Sequence, residues 1–350
     1  SGMDGFAIRS ADARLAGVVL PVDGEAAAGD APGRPLSGGS ARSIMTGAVL
    51  PAGADAVVQV EWTERLSGGE VRILKPVPAG ANIRTAGSDI RRGDVPLRKG
   101  RLLRAFEQGM LASLGIEFVS VHRRPSVLFI PTGNELTGPG EDPGPGKIRD
   151  SVSPVVTGLL RREGCDVRGA AITPDDRAGV STAVAAGASC DMIVTSGGVS
   201  AGRRDIVPEA LADSGFTTVF HRVNIRPGMP LFFGMRGDVP VFSLPGNPVS
   251  AAVTFLQFVR PAIRKMAGDP DPGRKATARA RLAGAYSKND GKRHYVRGWL
   301  EEVRGEPTVR VAGAQGSNIA SVLAAANCLI IFPEDRTEFA DSEIVETEML

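Results

Sequence analysis

The chain has little from which to build a redox, zinc or membrane protein. Three cysteines, Cys165, Cys190 and Cys328, are scattered through 350 residues. An odd count without CxxC spacing excludes a disulfide framework, fits a reducing cytoplasm and leaves buried thiols as the ordinary reading. Histidine is scarce, and neither His221 nor His294 reads as a zinc ligand, each lacking a second ligand at metal-binding spacing. No apolar run approaches the roughly 20 residues of a membrane span. The opening Ser1-Gly2-Met3-Asp4-Gly5 lacks the regions of a signal peptide, so the expectation is a cytoplasmic chain, or one that starts inside a longer one. An excess of one charge is lacking too. The 41 Lys+Arg against 39 Asp+Glu leave +2, with no basic run interleaved with aromatics, which argues against nucleic acid as a partner.

Glycine and proline are plentiful, 44 and 25 residues, yet short of the level that signals disorder, so they belong in turns and in loops that approach ligands. A chain of this length exceeds the size at which one core stops growing, and two to four domains are expected. Residues 1–122 read as a β-rich lobe, with short apolar pieces at 56–60 and 71–74 between turn signals. It ends in a linking helix marked by Leu103, Phe106, Met110, Leu111 and Leu114, then an alternating strand-like segment at 116–122. Residues 123–268 alternate strand and helix. The continuous apolar runs 127–130 and 192–194 suit central strands covered on both faces, and helices are expected at 155–162, 177–186 and 250–266. This is a doubly wound α/β pattern, in which ligands bind beyond the carboxyl ends of the strands. After the linker 268–273, residues 274–350 read as a small β domain with a short helix at 319–325.

Three loops of the α/β segment carry candidate chemistry. The first, Thr132-Gly133-Asn134-Glu135, continues through a Gly/Pro-rich stretch to Asp150-Ser151 and offers close backbone approach and polar side chains. Capping of a plain loop accounts for it equally well. The second, Thr195-Ser196-Gly197-Gly198-Val199-Ser200, presents N–H groups and hydroxyls suited to phosphate oxygens. Asp205 beyond it suits a divalent cation, or the N-cap of a helix at 205–211. The third pairs Arg226-Pro227-Gly228-Met229-Pro230 with Pro245-Gly246-Asn247-Pro248-Val249-Ser250, two rigid turns with a guanidinium and a hydroxyl that suit a tetrahedral oxyanion. Elsewhere, Asp4 and Thr46 read as turn residues. The basic run 292–297, with Arg297, reads as a solvated strand face, and Ser317 lies in a polar loop.

Taken in order, Ser1-Gly2-Met3-Asp4-Gly5, Ile44-Met45-Thr46-Gly47-Ala48 and Leu244-Pro245-Gly246-Asn247-Pro248-Val249-Ser250, with the other loops between them, resemble the MoeA and gephyrin E-domain family over about 320 residues. The resemblance implies an α/β multidomain fold: a β-rich N-terminal lobe, a Mog-like doubly wound domain and a small C-terminal β-barrel-like domain, with a helical segment normally preceding the position of Ser1. It implies molybdenum insertion from molybdate into adenylylated molybdopterin, with Mg²⁺ assisting and AMP released. The implied partner is a second copy, whose β lobe brings Asp4 and Thr46 over the α/β domain. A molybdopterin adenylyltransferase upstream and molybdoenzyme clients downstream are implied as well.

Residue by residue, the resemblance implies catalytic roles for Asp4, Thr46 and Asp205, the last also as the metal ligand. It implies pterin and phosphate contacts from Thr132, Gly133, Asn134, Glu135, Ser151, Thr195, Ser196, Gly197, Gly198, Ser200, Pro245, Gly246, Asn247 and Pro248, and molybdate contacts from Arg226, Ser250, Arg297 and Ser317. Asn134, Met229 and Val152 depart from the bacterial pattern, which has an acid, a lysine and an asparagine there. Two alternatives stay open on sequence alone: an adenylyltransferase of the Mog type and a catalytically weak binding scaffold.

Overall fold

The computed structural model describes residues 1–199 and 206–350. It divides into two compact units, Ser1–Arg98 and Lys99–Leu350.

The first unit is built on a six-stranded sheet ordered Ala56–Gln59, Gly5–Ile8, Ala41–Ile44, Val18–Ala26, Glu70–Ile73, Thr63–Leu66. Its core comes from Phe6, Ile8, Leu20, Val58, Val71 and Ile73, all buried. Gly5 is required by close approach: a Cβ there would lie 1.9 Å from the Val58 carbonyl oxygen.

In the second unit, a six-stranded sheet runs Asp166–Gly169, Ser126–Pro131, Met192–Ser196, Val239–Leu244, Phe232–Arg236, Thr217–His221. The first four strands are parallel, and Phe232–Arg236 runs antiparallel to both of its neighbours, so that Thr217–His221 again has the direction of the first four. The run Val127-Leu128-Phe129-Ile130 serves both faces. Val127 and Phe129 pack with Val156, Leu160 and the helical residues Val249 to Ile263, whereas Leu128 and Ile130 pack with Val180, Val184, Val207 and Leu211. Each such fully buried aliphatic contributes roughly 1.5–3 kcal/mol. Helices Val152–Arg162 and Arg177–Ala186 stand as expected, the first beginning three residues earlier because the Asp150 carboxylate accepts the Val152 and Ser153 N–H groups at 2.9 and 3.0 Å.

The expected helix at 250–266 is interrupted. Pro248–Thr254 and Arg260–Met266 are α-helical, and Phe255–Val259 between them is a π-helical turn. Pro261 lacks the N–H that a continuous α-ladder needs just there. The helix at 105–113 forms, with Glu107 accepting from Arg101 and Arg104. The segment 116–122, which alternates like a strand, forms none. Phe118 and Val119 are both exposed, so the alternation has no buried face to serve.

Strands Arg293–Val303, Glu306–Val311, Thr277–Ala283, Ile344–Met349 and Cys328–Phe332 pair in a ring, because the last also pairs with the first. The C-terminal domain is therefore a closed five-strand barrel. Buried Glu348 in the barrel accepts from Arg260 and, at 2.8 Å, from Gln257, which fixes the barrel against the α/β helix. Ile225–Arg226 adds a short parallel strand to the start of Arg293–Val303, with Arg226 opposite His294.

Candidate functional site

Three adjacent parallel strands end in the three loops singled out above. Thr132 donates both its N–H (2.8 Å) and its Oγ (3.0 Å) to the Ser196 carbonyl, and Gly197 donates its N–H to the Leu244 carbonyl at 3.0 Å. A Cβ on Gly246 would lie 3.7 Å from the Gly197 Cα. Thr132–Gly133, Thr195–Gly198 and Pro245–Asn247 thus meet at one end of the sheet, where an α/β fold takes its ligand. Thr195 and Ser243 are register partners, and both buried hydroxyls lack a hydrogen-bond partner among the described residues. Such groups are uncommon in a folded interior.

The surrounding polar residues hold this rim. Asn134 accepts the Asp175 N–H at 3.1 Å through its side-chain oxygen, and its carbonyl accepts from Lys147. Glu135 and Ser151 are exposed beside it. Ser200 and Asp205 lie outside the described residues. Among the described residues no group of three His, Cys, Asp or Glu side chains converges in a way that would hold a metal.

The four candidate oxyanion residues come together from four parts of the sequence. Val249 donates its N–H to the Ser317 carbonyl at 3.2 Å, which sets the start of the helix carrying Ser250 against the 313–319 loop. Arg297 donates to the carbonyls of Ala314 (3.1 Å) and Gly316 (2.9 Å) in that loop. Arg226 pairs with the barrel three residues before Arg297, and Gly228 packs so close to Thr254 that a Cβ would sit 2.6 Å from its methyl.

Arg297 departs most from its sequence reading. It is no part of a solvated strand face: at 1% exposure it is the largest fully buried side chain among the described residues. Among the described residues its Nε has no hydrogen-bond partner and no carboxylate pairs with it. Burial pushes its guanidinium below the ordinary value, opposed only by Tyr286. A buried cation without a counter-ion is costly, and the arrangement is natural where an anion is to be bound. Arg226 is different. It is exposed and paired at 3.3 Å with Asp290, whose other oxygen lies 2.7 Å from His294 Nε2. His294 therefore does have a carboxylate partner, four residues away across a turn, which its sequence reading missed.

In the first unit, Thr46 donates its N–H to the Asp4 carboxylate at 2.6 Å, so these two residues, 42 apart in sequence, are brought together. That N–H, followed by the Thr46 hydroxyl, lowers the Asp4 carboxyl from its ordinary range. Both residues are exposed, flanked by exposed Met3 and Met45.

Polar loops beyond a doubly wound sheet, joined to a barrel that contributes a buried arginine with no carboxylate partner among the described residues, define a multidomain α/β protein with a candidate anion site. Residues 1–115 match the MoeA N-terminal region (domain I and II), 128–265 a probable molybdopterin binding domain, and 279–350 the MoeA C-terminal region (domain IV). The chain is 37% identical to molybdopterin molybdenumtransferase 2 of Mycobacterium tuberculosis, covering 97% of this chain and 85% of that one. It is 35% identical to molybdopterin molybdenumtransferase of Haemophilus influenzae, covering 99% and 86%. The crystal structure of the molybdopterin biosynthesis moeA protein of Pyrococcus horikoshii superposes with a TM-score of 0.83 at 30% identity, covering 100% of this chain and 87% of that one. The chain belongs to the MoeA family of molybdopterin molybdenumtransferases.

Proposed function

We propose that this protein transfers molybdenum from molybdate to the dithiolene of adenylylated molybdopterin and releases AMP. The observation that carries the reading is Arg297, buried and, among the described residues, without a counter-ion, donating to the 313–319 loop that also meets the start of the helix carrying Ser250. An adenylyltransferase resembling only the α/β domain is disfavoured, because the relatives named above match across all three segments. The test is AMP release from adenylylated molybdopterin with and without molybdate. The reading expects release that depends on molybdate, and release indifferent to it counts against the reading.

Mg²⁺ is the assisting cation in this proposal, with Asp205, next to the glycine-rich loop in sequence, as its carboxylate ligand. Mg²⁺ requires oxygen donors, and removing one charge weakens such a site without touching backbone phosphate contacts. Asp205→Asn is therefore expected to raise the Mg²⁺ needed for half-maximal AMP release about tenfold while leaving pterin binding within about twofold. An unchanged magnesium titration would return Asp205 to a helix-capping role.

The working form is a homodimer in the cytoplasm, in which the Asp4–Thr46 pair of one copy serves the α/β site of the other. It receives its substrate from a molybdopterin adenylyltransferase and passes its product to molybdoenzymes. Supporting the dimer, Phe106 and Phe118 are 85% and 84% exposed, with Leu102 and Val121 also exposed near them in sequence; apolar surface of this kind marks association. Light scattering at micromolar concentration is expected to give twice the chain mass, reduced to one chain mass by Phe106→Glu with Phe118→Glu. A fully active monomer would contradict it.

A further inference from the structure

Arg226 already carries a partner, and the way that partner is held suggests a purpose. Asp290 is fixed at one oxygen by His294, which is 3% exposed and whose Nδ1 lies 2.9 Å from the Tyr286 hydroxyl. Tyr286 is itself stacked on Phe332 with ring centroids 4.1 Å apart. The chain Phe332, Tyr286, His294 therefore presents the second Asp290 oxygen to Arg226 from a rigid barrel. Contact with Arg226 is single and long, 3.3 Å to one nitrogen, although a guanidinium can donate two parallel bonds to one anion. Arg226 remains 61% exposed at its side chain, so most of its N–H groups face outward.

The other charged groups around this chain do not supply a better partner for Arg226. Lys288 donates to the carbonyls of Lys292 (2.6 Å) and Asp290 (3.5 Å), and the Lys292 ammonium lies 3.9 Å from Asp290. Burial would raise the Asp290 carboxyl, but His294, the Lys292 N–H and Arg226 together hold it below its ordinary value, so it stays charged. His294 is held low by burial, against Asp290.

We propose that Asp290, positioned by His294, is the resident counter-ion of Arg226 and lowers the affinity of the site for every incoming anion, so that only an oxyanion able to fill the guanidinium fork displaces it. The inference rests on the reading of Arg226 as an oxyanion-binding residue. A singly charged anion that takes over the guanidinium replaces one unit of negative charge by another and also faces Asp290. It gains little. A dianion offers twice the charge and two oxygens in the geometry of the fork, and it displaces the weak one-point contact. Asp290 thus raises the threshold for every anion, and it repels a dianion more strongly than a monoanion, so the two-point fork contact has to supply the difference.

Equilibrium dialysis of molybdate against the full chain, with nitrate as a monoanion competitor, tests this. In Asp290→Asn, which keeps a hydrogen-bonding oxygen for His294, the molybdate Kd is expected to fall about three- to fivefold, and nitrate is expected to compete at correspondingly lower concentration. A merely structural role for Asp290 predicts weaker binding instead. In an Arg226→Met background the same change is expected to shift the Kd by less than about twofold. Asp290→Ser repeats the measurement should the asparagine variant fail to fold. An unchanged or raised Kd in a folded variant overturns the inference. Wild-type protein that binds no molybdate overturns the underlying reading of the site instead.

Discussion

Arg297→Met is expected to raise the molybdate concentration needed for half-maximal insertion about 30- to 100-fold, with the protein still folded. The lost charged hydrogen-bonding partner corresponds to roughly 2–3 kcal/mol of oxyanion affinity. Folding is expected to survive because a methionine fills much of the same buried volume and removes an unpaired charge, a change that is often neutral. The carbonyls of Ala314 and Gly316 lose a donor, so a modest drop in thermal midpoint accompanies it. Arg297→Lys separates charge from geometry. A lysine keeps the charge but cannot hold both carbonyls and an oxyanion, so it should recover only part of the loss. Molybdate titrations of all three proteins check this, and equal half-saturation would remove Arg297 from the oxyanion site.

Gly197→Ala is expected to be the most damaging single-methyl change in the chain's ligand rim. Gly197 has φ +91°, and a Cβ there would lie 2.2 Å from the Thr132 carbonyl oxygen. That carbonyl cannot move aside easily, because Thr132 is tied twice to Ser196. Strain and clash together should cost roughly 2–4 kcal/mol in stability. Since the same loop is to hold the phosphates, binding of adenylylated molybdopterin should weaken by about a hundredfold or more. Gly246→Ala is the control. Its Cβ would meet only the Gly197 Cα at 3.7 Å, an ordinary contact, and stability should change by less than about 0.5 kcal/mol. Thermal unfolding and a pterin-binding isotherm for both variants decide the matter. A Gly197→Ala protein with wild-type binding would show that the loop does not approach the substrate.

The central strands of the α/β domain were legible because burial on both faces leaves an uninterrupted apolar run, as in Val127-Leu128-Phe129-Ile130. The loops beyond them followed from the fold. The strand order of the first unit was not legible, since Gly5–Ile8 lies between Ala41–Ile44 and Ala56–Gln59 by pairings that no local pattern announces. The 116–122 segment misled because alternation is a necessary sign of a half-buried strand and not a sufficient one. In the candidate site, Arg297 read locally as one of several basic strand residues. Its neighbour Arg293 fits that description, being exposed and paired with Glu334. What separates the two is the 313–319 loop folding over Arg297, a tertiary fact. Asp290 was missed for a related reason: it sits 64 residues from Arg226, in a turn whose composition signals only a turn. The family resemblance supplied Arg297 and Ser317 as site positions, and it was silent on Asp290.

The central claim is coupling of metal insertion to phosphoanhydride cleavage. The most direct test is one turnover of adenylylated molybdopterin on purified protein with Mg²⁺ and molybdate, counting AMP released and molybdenum bound to the pterin in the same sample. The account predicts one molybdenum inserted per AMP, with neither product formed when molybdate is omitted. AMP release with no molybdenum on the pterin, or molybdenum insertion that leaves the adenylyl group in place, would contradict it.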